Sequence, residues 1–225
     1  IASQRQRLAD LSHELRTPLT RIEMAAELSA QRHGEDVLLE RIRDDCSAMR
    51  RLVEDALTLS WLENEVPRLR DEAVDLTSLL DSLIEDARFE YPDRQLLAEL
   101  PDEATLHASS HRALAQALEN VLRNALAHTP SGGVVRLRLQ QAHGVCEITV
   151  EDEGPGVPEA LLERIFEPFF RVPEQAGVER PGFGLGLALA RRQVSAAGGS
   201  IVADNRPQGG LRMKIRLDSG SAVGA

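Results

Sequence analysis

The chain has 225 residues, 42% of them hydrophobic and only 3% aromatic, with a formal net charge of −10. That composition excludes a disordered segment and suits one or two globular units whose cores rest on Leu, Val, Ile and Ala. The acidity argues against direct nucleic-acid binding as the main activity, because neutralising phosphates needs a basic face; its ordinary consequence is solubility.

Taken in chain order, the first pattern is a pair of heptads. Leu8, Leu11, Leu15, Pro18, Ile22 and Ala25 form one apolar seam, and Leu39, Ile42, Cys46, Met49, Val53 and Ala56 a second. Alternating three- and four-residue steps of this kind mark packed helices. His33-Gly34-Glu35-Asp36 separates them with a turn glycine, which predicts an antiparallel hairpin over residues 1–65. A lone hairpin cannot bury both faces, so the expectation is a homodimeric four-helix bundle.

Periodicity stops near Asn64-Glu65-Val66-Pro67, and residues 66–73 read as a linker. A mixed domain is expected over 74–217, followed by a flexible tail over 218–225. Within it, Asp75 caps a helix from Leu76 to about Phe89, and strands follow at Gln95–Leu100 and Ala104–Ala108. Ser109 or Ser110 caps a helix to about Ala127. Val134–Gln140 and Val145–Glu151 alternate as a hairpin pair. A helix from about Pro158 to Ile165, another from about Leu185 to Ala197, and strands near Ser200–Ala203 and Leu211–Leu217 complete the reading. Elements interspersed without strict βαβ repetition favour an α/β two-layer sandwich. Cys46 and Cys146 lack metal-ligand spacing and read as small core residues. His33, His107, His111 and His143 have no partner pattern and read as surface residues.

Four segments carry chemistry. Leu11-Ser-His-Glu-Leu-Arg-Thr-Pro18 places His13 at the heptad position furthest from the seam, with Thr17 one turn on along the same face and Glu14 bordering it. Imidazole is mostly neutral near pH 7 and offers a lone pair, and an adjacent carboxylate can fix its tautomer. Pro18 removes a helix donor and crowds the Glu14 carbonyl, which predicts a bend. A plain surface histidine on a coiled coil is the bland alternative for the histidine alone.

Next, Asn120, Asn124 and His128 form a polar stripe at i, i+4 and i+8, opposed to an apolar face of Leu114, Leu118, Val121, Leu122 and Ala125. Asparagine carbonyls are hard, neutral ligands suited to Mg2+ bridging phosphates, although a solvated helix face would read the same way. Asp152-Glu-Gly154-Pro-Gly156 follows a strand, and its glycines would let backbone approach a flat ligand; a tight turn explains it equally well. Gly182-Phe-Gly184-Leu185-Gly186-Leu187 opens a helix and leaves backbone N–H groups to face phosphates. It is not a Rossmann fingerprint, since no strand precedes it and no acidic residue sits suitably downstream. Phe166-Glu-Pro-Phe169-Phe170, with Phe183, holds four of the seven aromatics and reads as the anchor of a mobile lid over about Val172–Pro181.

The octet resembles the phosphoacceptor box of the sensor histidine kinases of two-component systems, of the osmosensor and envelope-stress type. The three later segments, in that order, resemble the Bergerat-fold (GHKL) ATPases over about Val74 to Leu217. The resemblance implies ATP-dependent phosphorylation of His13 as nucleophile with Glu14 as general base, and transfer to an aspartate of a response regulator receiver domain. It also implies dephosphorylation of that regulator with Thr17 and Glu14 positioning water. Asp152 would accept from the adenine amino group. Asn120, Asn124, His128, Gly154, Gly156, Phe169, Arg171, Gly182, Gly184, Leu185, Gly186 and Leu187 would surround ATP, with Mg2+ on Asn120 and Asn124. The implied setting is the cytoplasmic portion of an inner-membrane sensor whose membrane segments precede Ile1. One departure stands out. Many relatives carry Lys or Arg before an aromatic residue at the end of the asparagine helix, where this chain has Ala127; Arg171 or Arg180 is expected to replace that cation. A Bergerat-fold ATPase driving a clamp, or a silent nucleotide-binding scaffold, are the competing classes.

Overall fold

A computed structural model of the chain describes residues 72–173 and 183–218 throughout. Before them it describes residues 20, 22, 24–26, 28, 29, 39, 42, 43, 46–50, 52–55 and 58. The chain divides into two compact units, Ile1–Glu65 and Val66–Ala225.

Every described residue of the first unit is helical. Ala26 and Cys46 are buried there, whereas Ile22, Met24, Leu28, Ile42 and Met49 are exposed. Of the expected seam residues, Cys46 is buried within the single chain and Ile22, Ala25, Ile42 and Met49 are exposed there, while Ala26 is buried beside the expected Ala25. Two helices alone can cover only a narrow strip of each other, so most of a heptad face stays open without further partners.

The described residues of the second unit form seven strands and three α-helices. Strand β1 (Glu72–Asp75) leads into helix α1 (Leu76–Glu90), and strands β2 (Gln95–Glu99) and β3 (Thr105–Ser109) follow. Helix α2 (His111–His128), strands β4 (Val134–Ala142) and β5 (Val145–Glu151), helix α3 (Gly186–Ala196), and strands β6 (Ser200–Asn205) and β7 (Leu211–Asp218) complete the order. Caps fix the two long helices: Ser78 N–H donates to Asp75 Oδ1 at 3.1 Å, and Ala113 N–H donates to Ser110 Oγ at 3.5 Å.

Five strands form one mixed sheet in the order β2-β4-β5-β7-β6, with β2 parallel to β4 and the remaining pairs antiparallel. Alternation then sorts the side chains. Val135, Leu137, Leu139, Cys146, Ile148, Val150, Met213, Ile215 and Leu217 are buried in one hydrophobic core with the apolar faces of α1 and α2 and with Ala190 and Val194 of α3. On the opposite face the strands carry ion pairs, including Arg138 to Glu99 at 2.7 Å and Arg212 to Glu151 at 2.6 Å. The result is the expected two-layer α/β sandwich.

Two expectations are corrected. Glu72–Asp75 is a strand rather than linker and domain start, pairing antiparallel with β3 as a separate two-stranded sheet. Only Val74 of those four is buried, so no alternation was long enough to announce it. No α-helix spans Pro158–Ile165; the segment forms two single 3₁₀ turns, Glu159–Leu161 and Arg164–Phe166. Pro158 supplies no side-chain cap, and eight residues are too few for a cooperative helix to form unaided. The broken turns instead bury Ile165 and Phe166.

Ile148, fully buried in the middle of the sheet, tests that core. Ile148→Ala is expected to cost about 2–5 kcal/mol, read as a lowered midpoint in chemical denaturation. A loss below about 1 kcal/mol would show that the site can collapse without penalty.

Candidate functional site

Apart from Gly182, three of the four chemical segments fall on described residues, and two of them pack on the third, helix α2: Gly154 at His128 and Gly186 at Asn120. Asp152 stands just past the end of β5 and is 3% exposed. Its Oδ1 accepts from Gly154 N–H at 2.8 Å and from Leu211 N–H at 3.0 Å. Burial pushes its carboxyl up from the usual carboxylate range, against the two backbone hydrogen bonds and the fields of His128 and Arg206. Two donors on one oxygen leave Oδ2 to receive a hydrogen from a ligand.

The loop after Asp152 is tightly held. A Cβ at Gly154 would lie 2.8 Å from the carbonyl oxygen of His128, so glycine allows the end of α2 to pack against this loop. Gly156 has φ of 71°, where glycine carries no steric penalty. Glu153 accepts from Val134 N–H at 3.0 Å and pairs with Arg136 at 3.1 Å, which holds its carboxyl below the usual range. Sequence reasoning assigned Glu153 nothing; the structure makes it the strut between this loop and the start of β4.

The asparagine stripe borders the same region. Asn120 Oδ1 lies 3.3 Å from where a Cβ on Gly186 would stand, so the carboxamide packs on the first residue of α3. Its Nδ2 is buried without an acceptor among the described residues, an orphan donor that a bound anion could satisfy. Asn124 and His128 follow along α2, both half-buried. Among the described residues no cluster of three His, Cys, Asp or Glu could hold a metal ion. Asparagine carbonyl oxygens are hard donors of the kind that a cation arriving with phosphates can use.

Helix α3 begins at Gly186 with Leu185 as its N-cap, and no side chain caps it. Its first N–H groups lack helical acceptors and carry the positive end of the helix dipole, the usual arrangement for an anion. Leu185 is buried and Leu187 half-buried, so these two leucines anchor the turn that presents the N–H groups. Gly184, at φ 73°, accepts from Phe169 N–H at 2.9 Å, and a Cβ there would meet the Phe170 carbonyl at 2.7 Å. Phe169 itself holds φ of 62° with its side chain exposed, a conformation that a bulky residue adopts only when its surroundings impose it. Phe170 is packed on the core under the Arg164 guanidinium, 4.2 Å from its ring centroid.

Arg171 is described and exposed. Arg180 and Gly182 lie outside the described residues, as do His13, Glu14, Thr17 and the bend expected at Pro18. Four contributors escaped the sequence reading: Glu153, Asn205, Arg206 and Leu211. The Asn205-Arg-Pro-Gln-Gly-Gly210 run has the composition of an ordinary turn, which hides its contacts with Asp152 and Val157.

Comparison with known proteins adds an independent finding. Residues 3–65 match the His Kinase A (phospho-acceptor) domain, and residues 109–221 match the histidine kinase-, DNA gyrase B- and HSP90-like ATPase family. The sensor protein PfeS of Pseudomonas aeruginosa is 40% identical over 213 residues, covering 93% of this chain and 46% of that protein. The sensor histidine kinase CpxA of Escherichia coli is 35% identical over 219 residues, covering 96% and 47%. The chain thus spans about half the length of these relatives. Among solved structures, full-length ShkA in complex with AMPPNP superposes with a TM-score of 0.78 at 27% identity, covering 97% of this chain and 47% of that one. The mycobacterial sensor histidine kinase MprB gives 0.59 at 31%, covering 66% and 97%.

The burial of Asp152 has a stability consequence. A carboxyl whose folded pKa is raised makes the native state lose stability as pH climbs from the unfolded value through the folded one. Asp152→Asn removes that penalty, so the ligand-free variant should melt higher than wild type near pH 7, with the gap closing below pH 4 where both side chains are neutral. Thermal melts across this range check it; a variant that melts lower at neutral pH would contradict the assigned burial cost.

Proposed function

The chain belongs to the sensor histidine kinases of two-component systems, and on that premise we propose that it is an ATP-dependent protein-histidine kinase. Its substrates are ATP and its own His13, and its phosphoryl acceptor in the next step is an aspartate on a response regulator receiver domain. The observation that carries this reading is the buried Asp152 carboxylate, with one oxygen saturated by Gly154 and Leu211, in a loop packed on the end of α2, the helix whose Asn120 lies against the uncapped start of α3. One end suits an adenine amino group, the other a polyphosphate.

Each residue then has a task. Asp152 Oδ2 accepts from the base, and Gly154 and Gly156 let backbone lie against it. Asn120 and Asn124 would hold Mg2+ through their carbonyl oxygens; when bound, Mg2+ would neutralise charge on the phosphates. The N–H groups around Gly184, Leu185, Gly186, Leu187 and the Gly182 segment cradle the phosphates, and His128, Phe169 and Arg171 line the approach. His13 is the nucleophile: Glu14 takes the proton from its other ring nitrogen as the bond to phosphorus forms and the bond from the γ-phosphorus to the β,γ-bridging oxygen breaks, with ADP as the leaving group. Thr17 with Glu14 positions water when the regulator is dephosphorylated. Phosphoryl transfer demands positioning and charge neutralisation more than covalent work by the protein, which suits a division between a nucleophile unit and a nucleotide platform.

The exposed Ile22, Ile42 and Met49 support a homodimer through the helical hairpin, since a second copy would cover them. The regulator would dock on the hairpin near His13. No described helix is long and apolar enough to cross a membrane; the relatives' role as sensors supports a place on the cytoplasmic side of an inner-membrane protein.

Incubation with Mg2+ and ATP radiolabelled on the γ-phosphate should give an acid-labile, base-stable phosphoprotein. His13→Ala is expected to lose that label entirely while still binding ATP. Label retained by the variant would falsify His13 as acceptor, and free phosphate without phosphoprotein would favour an ATPase. A second test concerns the cation absent at Ala127. The double variant Arg171→Ala, Arg180→Ala should label about tenfold more slowly or worse if these arginines neutralise phosphate charge; unchanged ATP affinity and rate would remove them from the mechanism.

A further inference from the structure

We propose that the turn between β6 and β7, through Asn205 and Arg206, positions the Asp152 carboxylate and so sets the base selectivity of the nucleotide site. The inference rests on the adenine-reading role given to Asp152 above.

Strand β5 ends at Glu151, so residues 152–157 leave the sheet without a ladder to hold them, and their backbone groups need other partners. The β6–β7 turn supplies these at both ends. At the far end, Asn205 acts as a substitute strand: its Oδ1 accepts from Val157 N–H at 2.9 Å and its Nδ2 donates to the Val157 carbonyl at 2.6 Å. At the near end, the Arg206 guanidinium donates to the Asp152 carbonyl oxygen and stands 3.6 Å from Glu151 Oε2, with its side chain only 10% exposed. Between them, Asp152 N–H donates to the Leu211 carbonyl at 3.0 Å, and Leu211 N–H returns the 3.0 Å bond to Asp152 Oδ1.

Sterics reinforce the clamp. A Cβ on Gly156 would fall 2.8 Å from Asn205 Oδ1, and one on Gly210 would collide with the Asp152 carbonyl. Gly210 also sits at φ 93°, which excludes larger residues independently. The turn thus reaches the loop because both surfaces are bare. Both polar atoms of Asn205 are committed to Val157, so its effect on a ligand passes through the loop: it is a positioning residue, as is Arg206. Releasing either end would let the carboxylate shift while leaving its chemistry intact, and a hydrogen-bonding site tells bases apart only while its acceptor is held at the right place.

The experiment compares ATP with inosine triphosphate, which presents a carbonyl oxygen where adenine presents an amino group. Dissociation constants for both are measured by calorimetry on the full chain, for wild type, Asn205→Ala, Arg206→Gln and Arg206→Lys. The preference for ATP should fall about tenfold in Asn205→Ala and Arg206→Gln, the loss of one well-placed hydrogen bond, and Arg206→Lys should restore part of it. Ile148→Val serves as control: it loosens the core, lowers the melting temperature and should leave the preference untouched. Preferences within about twofold of wild type in both Asn205→Ala and Arg206→Gln would overturn the proposal. Should Arg206→Gln not fold, Asn205→Ala decides alone. A wild-type chain with no preference for ATP would sink the adenine-reading role of Asp152 and this inference with it, an outcome distinct from a wild-type preference that the variants keep.

Discussion

A carboxylate at the end of a β-strand, almost wholly removed from water, imposes the tightest constraint in the second unit. Burying an ionisable group is costly unless donors surround it, and Asp152 meets that demand with backbone N–H groups from Gly154 and Leu211. Those donors come from chain segments far apart in sequence. The β5 end, the loop after it and the β6–β7 turn must therefore be in place together, and the central sheet pairing of β5 with β7 is what brings them there. The glycines at 154, 156 and 210 follow from the same demand, because each lies where a Cβ would strike a carbonyl, a carboxamide or a carboxylate.

The opposite end of the site is governed by backbone rather than by side chains. Helix α3 starts without a cap, and its first turn is held in place by buried Leu185 and by the Gly184 contact with Phe169. The aromatic segment before it is fastened by Arg164 over Phe170 and by Arg191 over Phe166, the latter arginine also pairing with Glu163 at 2.9 Å. These contacts fix the stem from which the start of α3 is presented.

Much of this was legible because it rests on local rules. The caps at Asp75 and Ser110, the apolar face of α2 and the alternating strands β4, β5 and β7 each follow from period and capping chemistry, and the structure places them within a few residues. Asp152, Gly154 and Gly186 could be named from spacing and resemblance. What escaped is non-local. Strand β1 exists because it pairs with β3, the 3₁₀ turns after Pro158 exist because Ile165 and Phe166 find the core, and Asn205 matters because of a loop 48 residues away in sequence. Composition sees a turn at 205–210; only pairing of the strands shows what that turn touches.

Charge raises a harder question, since a chain of net charge −10 is read as binding a polyanion. The described arginines answer it only in part. Arg136, Arg138, Arg212 and Arg216 are spent in ion pairs with Glu153, Glu99, Glu151 and Glu147 on the sheet. Their fields are therefore largely cancelled at a distance, and exposed pairs of this kind add little beyond local order. With Ala127 in place of a cation, attraction for the proposed phosphates falls to the arginines proposed to replace it, Arg171 and Arg180, and to directed sources: the N–H groups at the start of α3, the orphan Asn120 amide and a divalent ion carried in with the nucleotide. The N–H groups and the Asn120 amide act over short range, so they favour a correctly seated polyphosphate rather than any passing anion. An acidic surface then does not oppose the proposed chemistry; it makes binding depend on the fit of base and phosphates together, which is why the placement of Asp152 bears on the whole site.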